Sequence, residues 1–452
     1  MKRIPILLVS LILGACGGGS PTPNTAVLNT APPVAVIITA LPQVAVIQPV
    51  AIADPCAVPK HQYGDIPIPT GYVGAFPIPV STQKLSVNII RGINLKDYYP
   101  GYLGLPIGCN DRTLFAHNTY IETLDRIKTN GAESTTIYNY GPWDDITQPI
   151  FKISDQNYQI PESEVIFIIA EAKKRNLKVN WLWQFYFNDV KGNQAPDVGS
   201  PEFPAFFKAA MDTWHVHVIK EAKLAQQYGI DGFYVDFQYF IPDFPQRSYW
   251  QYYIDKMYTI VSDVKGVYSG KIKYGLFDSR AIDSRFIGKV DAIQVNLGFY
   301  ETSQDYVTKL NVQLLKDRYA AQISQLYTDT TLGKLGIPIE WLYSSASIDG
   351  AFVAGFVEDG FCVDKCMQLL RKTDFSVQAI GYEAALEAIS EQTYFKTDTF
   401  NVSAYWLTDD ITPTHWGKSN SDPTSEEYDF PNESPSIRNK PAEGIVRQWF
   451  SR

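Results

Sequence analysis

Two runs of sequence decide the fold: KVNWLWQF at residues 178–185 and GIDGFYVDF at residues 229–237. Both runs are short and rich in aromatic and β-branched residues, which is typical of strands. The segment 204–228 between them carries apolar residues at the spacing of a helix. A strand, a helix and a second strand in this order predict two parallel strands joined by a helical crossover.

The same alternation extends in both directions along the chain. We expect eight strands, at residues 87–95, 134–140, 178–185, 231–237, 272–277, 291–297, 335–341 and 400–407. Eight such units predict an α/β fold in which the strands close into a (β/α)8 or TIM barrel with long βα loops. A doubly wound open sheet is the alternative, but no Gly-x-Gly-x-x-Gly motif follows any of these strands.

The first 16 residues have the features of an export signal. Lys2 and Arg3 precede an apolar segment, and the segment ends in LGAC at residues 13–16. This ending resembles the lipobox of bacterial lipoproteins, in which the cysteine is acylated. We therefore expect Cys16 to anchor the protein to a membrane of the bacterial cell envelope, and Gly17 after it favours the outer membrane. An ordinary signal peptide with an incidental cysteine is the alternative.

Residues 17–60 predict a tether rather than a folded domain. No charged residue occurs from Ile4 to Ala53, but prolines recur through the segment and would interrupt a membrane-spanning helix. A semi-extended spacer rich in proline and valine is the expected structure. The barrel domain then comprises residues 61–452.

The composition favours a carbohydrate partner over a nucleic acid. The formal net charge is −9, and no basic face that could bind phosphates is evident. Aromatic residues make up 13% of the chain, more than a core needs, so some are expected to stack on the apolar faces of sugars. We expect a polysaccharide or oligosaccharide substrate, no cofactor and a monomeric protein.

Four cysteines remain once Cys16 is acylated, and these are Cys56, Cys109, Cys362 and Cys366. An oxidising compartment would let them form disulfides, with three possible connectivities. We favour Cys362 with Cys366 and Cys56 with Cys109. A zinc site is the alternative, but a Cys-x3-Cys spacing without a nearby histidine disfavours it, so no metal is predicted.

Barrel enzymes place their chemistry at the C-terminal ends of the strands. The expected strand ends carry acids, amides and aromatic side chains that suit sugar chemistry, and these are Trp183, Gln184, Asp236, Gln238, Asp278, Asn296, Tyr300, Glu340 and Trp406. Glu340, which ends the apolar run of the seventh expected strand, and Asp236 are the predicted catalytic acids. The side chains of Gln238, Trp406, Trp183, Asn296, Tyr300 and Asp278 are expected to bind substrate. Residues two apart on a strand share a face, so Tyr234, Asp236 and Gln238 should point the same way.

Several short motifs resemble those of the clan A glycoside hydrolases. They are RGINL at 91–95, Gly131-Ala132 before the second strand, the acid and the tryptophan that close strands seven and eight, and KPA at 440–442 with WF at 449–450. Within that clan the chain is most similar to family 113, the β-mannanase-type barrels. The resemblance implies that Glu340 is the nucleophile, that Trp406 lies beneath the sugar being cleaved, and that Tyr300 is a partner of Glu340.

One position departs from this pattern, because Gln238 stands where the clan has its acid/base glutamate. An amide cannot deliver a proton to a leaving oxygen. Either Asp236 takes that role, or the barrel binds glycan without cutting it.

A second pattern, Gly-x-Asp-Gly-Phe-x-x-Asp at 229–236, resembles barrels whose aspartate attacks α-linked glycans. Asp236 would then be the nucleophile, and Glu340 or Asp278 the acid. Both versions need two carboxyl groups, one that donates a proton and one that is ionised to stabilise positive charge at the anomeric carbon. A structural alternative also stands, in which Asp236 is a core acid paired with Arg91 and the two tryptophans Trp183 and Trp406 are core residues.

Overall fold

The structure, a computed structural model, describes residues 74–96, 117–143, 149, 162–187, 196, 199–237, 244–276, 280–298, 309–329, 331–345, 374–406 and 436–452. Within these ranges eight strands form a closed barrel, in which each strand pairs in parallel with the next and the eighth pairs with the first. The predicted (β/α)8 barrel is therefore confirmed. The predicted signal peptide, the tether and all five cysteines lie outside the described residues.

The strands are β1 Ile90–Lys96, β2 Ser134–Trp143, β3 Lys178–Phe187, β4 Gly232–Val235, β5 Lys271–Gly275, β6 Ala292–Leu297, β7 Ile339–Tyr343 and β8 Thr397–Trp406. The helices between and after them are α1 His117–Thr129, α2 Glu162–Lys174, α3 Phe203–Gln227, α4 Trp250–Val267, α5 Val312–Asp329, the single turn α6 Leu332–Leu335, α7 Phe375–Glu391 and α8 Pro441–Phe450. Among the described residues, none of these helices combines the length and apolar character needed to cross a membrane.

Each strand separates an outer apolar layer from the interior of the barrel, because successive side chains point to opposite faces. On β4, Phe233 and Val235 face outward into the main core, which lies between the strands and the helices. Phe237 follows on the same face, and its ring meets Trp214 of α3 edge-on at 4.9 Å between centroids. Tyr234 faces inward and packs in a separate small cluster inside the barrel.

The seventh strand begins later than its sequence predicts. The apolar run was expected to form a strand at 335–341, but Leu332–Leu335 forms a helical turn. Gly336 ends that turn in the left-handed conformation, with φ 64°, which glycine adopts without steric cost. The chain then enters β7 only at Ile339 and stays in it to Tyr343. The predicted bounds of this strand are therefore wrong at both ends, and Glu340 is its second residue.

The last helix is fixed to the first by a buried acid. Glu443 of α8 accepts hydrogen bonds from Arg126 of α1 at 3.0 and 2.7 Å, and from Asn130 at 2.7 Å. Tyr405 of β8 and the backbone N–H of Asn439 also donate to its carboxylate, at 2.6 and 2.8 Å. This acid therefore joins α1, α8 and β8 on the outside of the barrel.

Candidate active site

A buried ion pair lies in the interior of the barrel. The Nζ of Lys273 is 2.5 Å from Oε2 of Glu340, and the side chains are 4% and 0% exposed. Three uncharged side chains also donate to Glu340: Asn401 through Nδ2 at 2.5 Å, Gln294 through Nε2 at 3.5 Å, and the hydroxyl of Tyr234. The carboxylate is therefore enclosed by protein donors.

Neighbouring strands supply these groups in register. Tyr234 of β4 pairs with Lys273 of β5, and Gln294 of β6 pairs with Glu340 of β7. The Lys273 ammonium also lies 5.1 Å from the centroid of the Tyr234 ring. Burial raises the pKa of Tyr234 well above its usual value, and the adjacent Glu340 carboxylate adds to the shift. The tyrosine is thus held in its protonated form, as a donor.

The position of Glu340 differs from the prediction. It does not end its strand, because three more strand residues follow it and the chain continues through Tyr343, Ser344 and Ser345 without another acid. The C-terminal end of β7 therefore carries no carboxylate among residues 341–345. Glu340 lies deeper in the barrel, where Lys273 balances its charge.

Asp236 is placed differently, at the C-terminal end of a strand. It follows Val235, the last residue of β4, and lies on the same face as Tyr234, as the two-residue spacing predicts. Its carboxyl group lies over Gly275, the last residue of β5, and the side chain is 4% exposed. Arg91 is not its partner, because its Nη1 donates to the Phe450 carbonyl of α8 at 3.0 Å, on the outside of the barrel.

Trp183 was predicted to contact substrate, and the structure corrects this. Its side chain is 2% exposed and belongs to the core between the strands and the helices. The ring stacks on His217 of α3, with centroids 5.9 Å apart and planes 29° apart. Val179, Trp181 and Trp183 all face this layer, as their two-residue spacing requires. Trp183 therefore belongs to the outer core and cannot stack on a sugar at the mouth.

The remaining predicted residues divide by what the structure describes. Asn296 is half-buried on β6, two residues after Gln294 and on the same face of the strand. Trp406 is the last residue of β8, as predicted, and its backbone pairs with Lys96 of β1. The three residues that fall outside the described ranges are Gln238, Asp278 and Tyr300.

Sequence reasoning missed four residues that define this region, namely Lys273, Gln294, Asn401 and Gly275. The signal for Lys273 was available, because a lysine two positions before a strand-end glycine shares its inward face. Asn401 lies between Phe400 and Val402, which face the outer core, so the alternation along the eighth strand places Asn401 on the inward face. Among the described residues, no group of three or more His, Cys, Asp or Glu side chains could hold a metal ion.

Known proteins share the fold of this chain but little of its sequence. The sequence matches no protein-family model and no curated protein. A solved GH113 β-1,4-mannanase is similar over 81% of this chain and 100% of its own, with a TM-score of 0.52 and 15% identity. The GH113 β-mannanase of Alicyclobacillus acidocaldarius, in complex with ManMIm, is similar over 80% and 97%, with a TM-score of 0.51 and 14% identity. The shared feature is the fold. The resemblance to the family 113 barrels is therefore confirmed for the architecture.

Proposed function

We propose that the protein is a glycoside hydrolase that cleaves a polysaccharide or oligosaccharide, with Asp236 as one of its catalytic carboxyl groups. The observation that carries the proposal is the position of Asp236, on the inward face at the C-terminal end of β4, in a barrel similar to that of β-mannanases. Catalytic groups of such barrels come from the C-terminal ends of the strands. Asp236 is the acid of the described residues that meets this condition.

The second carboxyl group is assigned to Asp278. This residue follows Gly275, the last residue of β5, by three positions, and β5 is the strand next to β4. One carboxyl group would protonate the leaving oxygen while the other stabilises or attacks the anomeric carbon. Glu340 is a weaker candidate than the sequence suggests, because its charge is already engaged by Lys273.

The first substrate to test is β-1,4-mannan, because the similar solved structures are β-1,4-mannanases. The Gly-x-Asp-Gly-Phe-x-x-Asp pattern at 229–236 adds α-linked glycans as a second class. Reducing-end release from both classes, and from β-glucan and peptidoglycan, is measured with the wild type. Release from at least one polymer supports the proposal, and release from none contradicts it.

Azide rescue assigns the two acids to their roles in a retaining enzyme. The variants are Asp236→Ala and Asp278→Ala, and the product is the glycosyl azide. Azide replaces a missing nucleophile from its own side of the sugar, so the anomeric configuration is inverted. A variant that lacks the acid/base yields the retained configuration. If azide rescues neither variant, the assignment of this pair is contradicted for a retaining mechanism.

A second candidate function is a barrel that binds glycan without cleaving it. The observation that favours it is the engagement of Glu340 by Lys273, together with an amide at Gln238. Binding to an immobilised polymer by a wild type that releases no reducing ends would support this function instead.

We also propose that Cys16 anchors the protein to the cell envelope, at the outer membrane. The support is the LGAC run at 13–16 followed by Gly17. Each methylene of a buried acyl chain contributes about 0.8 kcal/mol to membrane binding, so several chains hold a protein at a surface. Replacement Cys16→Ser should move the protein from the membrane fraction to the soluble fraction. The pairing of Cys362 with Cys366 and of Cys56 with Cys109 is tested by peptide mapping without reduction.

A further inference from the structure

The last residue of β5 is Gly275, and the side chain of Asp236 occupies the space where a side chain of residue 275 would lie. A Cβ built on Gly275 would be 2.5 Å from the Cβ of Asp236 and closer still to its Cγ and Oδ1. Gly275 has no positive φ, so its backbone conformation is open to any residue. The glycine is therefore required here by the close approach of Asp236 and not by its own conformation.

The contact involves the base of the aspartate side chain as well as its tip. A clash with the tip of a long side chain can be relieved by rotation, but the Cβ of Asp236 is fixed by the backbone of the residue after β4. By contrast, at Gly92 and Gly232 the added carbon would meet the amide groups of Asn401 and Asn180, which lie at the ends of their side chains. Of these three inward glycines, Gly275 is the one whose replacement must displace a backbone or an acid.

The strands on either side of this contact are held together directly below it. Tyr234 and Lys273 lie two residues before Asp236 and Gly275, pair with each other across β4 and β5, and both bond to Glu340. Because these buried bonds resist separation of the two strands, a methyl group on residue 275 would be accommodated mainly by movement of Asp236.

We propose that Gly275 is a positioning residue for Asp236, and this inference rests on the proposed function of that acid. The absent side chain leaves the space that the Asp236 carboxyl group occupies, and so sets its height and direction at the mouth of the barrel. The effect is on the geometry of a reacting group, where a displacement of about 1 Å can reduce turnover by about 100-fold.

The kinetic test compares Gly275→Ala with the wild type on the polymer that the wild type cleaves. We expect kcat to fall by about 100-fold, with KM changed by less than about 2-fold, because substrate contacts elsewhere are kept. The matched control is Gly266→Ala in α4, where an added carbon meets nothing within 4 Å. An unchanged kcat for Gly275→Ala, or an equal loss for Gly266→Ala, would overturn the inference.

A stability cycle tests the same contact without any substrate. Gly275→Ala should lower Tm in the wild-type background, because an added carbon overpacks a filled space. In an Asp236→Gly background that space is free, and the same replacement should leave Tm nearly unchanged. Equal losses in both backgrounds contradict the contact. If the wild type proves inactive on every glycan, the proposed function fails while this cycle still decides whether Gly275 determines the position of Asp236.

Discussion

Glu340 and Asp236 are both acids on the inward face of the barrel, but they lie at different heights. Glu340 is the second residue of its strand. Its carboxylate accepts hydrogen bonds from Lys273, Asn401, Gln294 and Tyr234. Asp236 comes after the last residue of its strand and lies over a glycine. The two acids thus lie at different heights along their strands, and the proposed function assigns the chemistry to the one at the strand end.

The energetic roles of the two acids should differ accordingly. A buried charge that loses its partner destabilises the protein by several kcal/mol, because the charge left behind is desolvated without compensation. A catalytic acid contributes to the transition state and little to folding. Replacing each acid by its amide therefore separates these roles.

The largest effect is expected for Asp236→Asn. Removal of a general acid or of a nucleophile should reduce kcat by about 10⁴-fold, or about 5.4 kcal/mol, with little change in Tm. The measurement is initial-rate kinetics on the cleaved polymer, paired with thermal unfolding of the same preparation. A variant that keeps more than about one tenth of the wild-type kcat would show that Asp236 is not one of the reacting groups.

Glu340→Gln should show the opposite pattern. The free energy of unfolding should fall by about 4 kcal/mol, because Lys273 is left as a buried, unpaired ammonium. The folded fraction should keep kcat within about 10-fold of the wild type, a margin of about 1.4 kcal/mol. Urea unfolding and active-fraction kinetics measure the two quantities.

The double variant Glu340→Gln/Lys273→Met is the control for this comparison. It removes both charges, so much of the stability should return. If Glu340→Gln instead abolishes turnover while its unfolding free energy stays near that of the wild type, Glu340 is the nucleophile that the family resemblance implied, and the contrast with Asp236 fails.

The architecture could be predicted from the sequence because it depends on a repeated pattern. Alternating strand and helix segments gave all eight strands, and errors of a few residues at each end did not change the fold. The site is more demanding, since one strand end decides whether a residue lies at the mouth or in the interior. The run at 335–341 is apolar enough for a strand, but Gly336 ends a helical turn there, and this shift moved Glu340 from the end of β7 to its beginning.

The sequence also does not show which side chains of different strands lie next to each other. Lys273 and Glu340 are 67 residues apart, and neither has a local feature that identifies the other as its partner. The closeness of Asp236 and Gly275 likewise depends on the parallel register of β4 and β5. By contrast, the shared face of Tyr234 and Asp236 follows from a two-residue spacing and could be predicted.

Glu443 can be compared with Glu340 and Asp236, because it is a buried acid that lies outside the barrel and bonds only to groups of α1, α8, β8 and their adjoining residues. Burial alone would raise its pKa, but the bonds and charge of Arg126, with the bonds from Tyr405 and Asn130, bring the pKa below its usual value. A depressed folded-state pKa stabilises the protein above the unfolded pKa of about 4.3, and this stability is lost as the pH falls through the folded value.

We therefore expect Glu443→Gln to lower the free energy of unfolding by about 2 kcal/mol at neutral pH, with kcat unchanged. The difference from the wild type should shrink as the pH falls below about 4. Urea unfolding at neutral pH and below a pH of about 4 measures this difference in stability. The control is Glu122→Gln, which replaces an exposed acid of α1. A difference that does not depend on pH would mean that the ionised carboxylate is not the source of the stability.

The smallest effect is expected at Trp183, which contrasts with Trp406 at the end of β8. Trp183 packs on His217 in the outer core, so Trp183→Phe should lower the free energy of unfolding by about 1 kcal/mol and leave KM unchanged. Trp406 is predicted to lie beneath the sugar, so Trp406→Ala should raise KM or lower kcat on the same polymer. Kinetics on both variants test the pair together. If Trp183→Phe raises KM while its free energy of unfolding is unaltered, packing in the outer core at β3 affects substrate binding. The position of a residue in the outer core would then not be enough to classify it as structural.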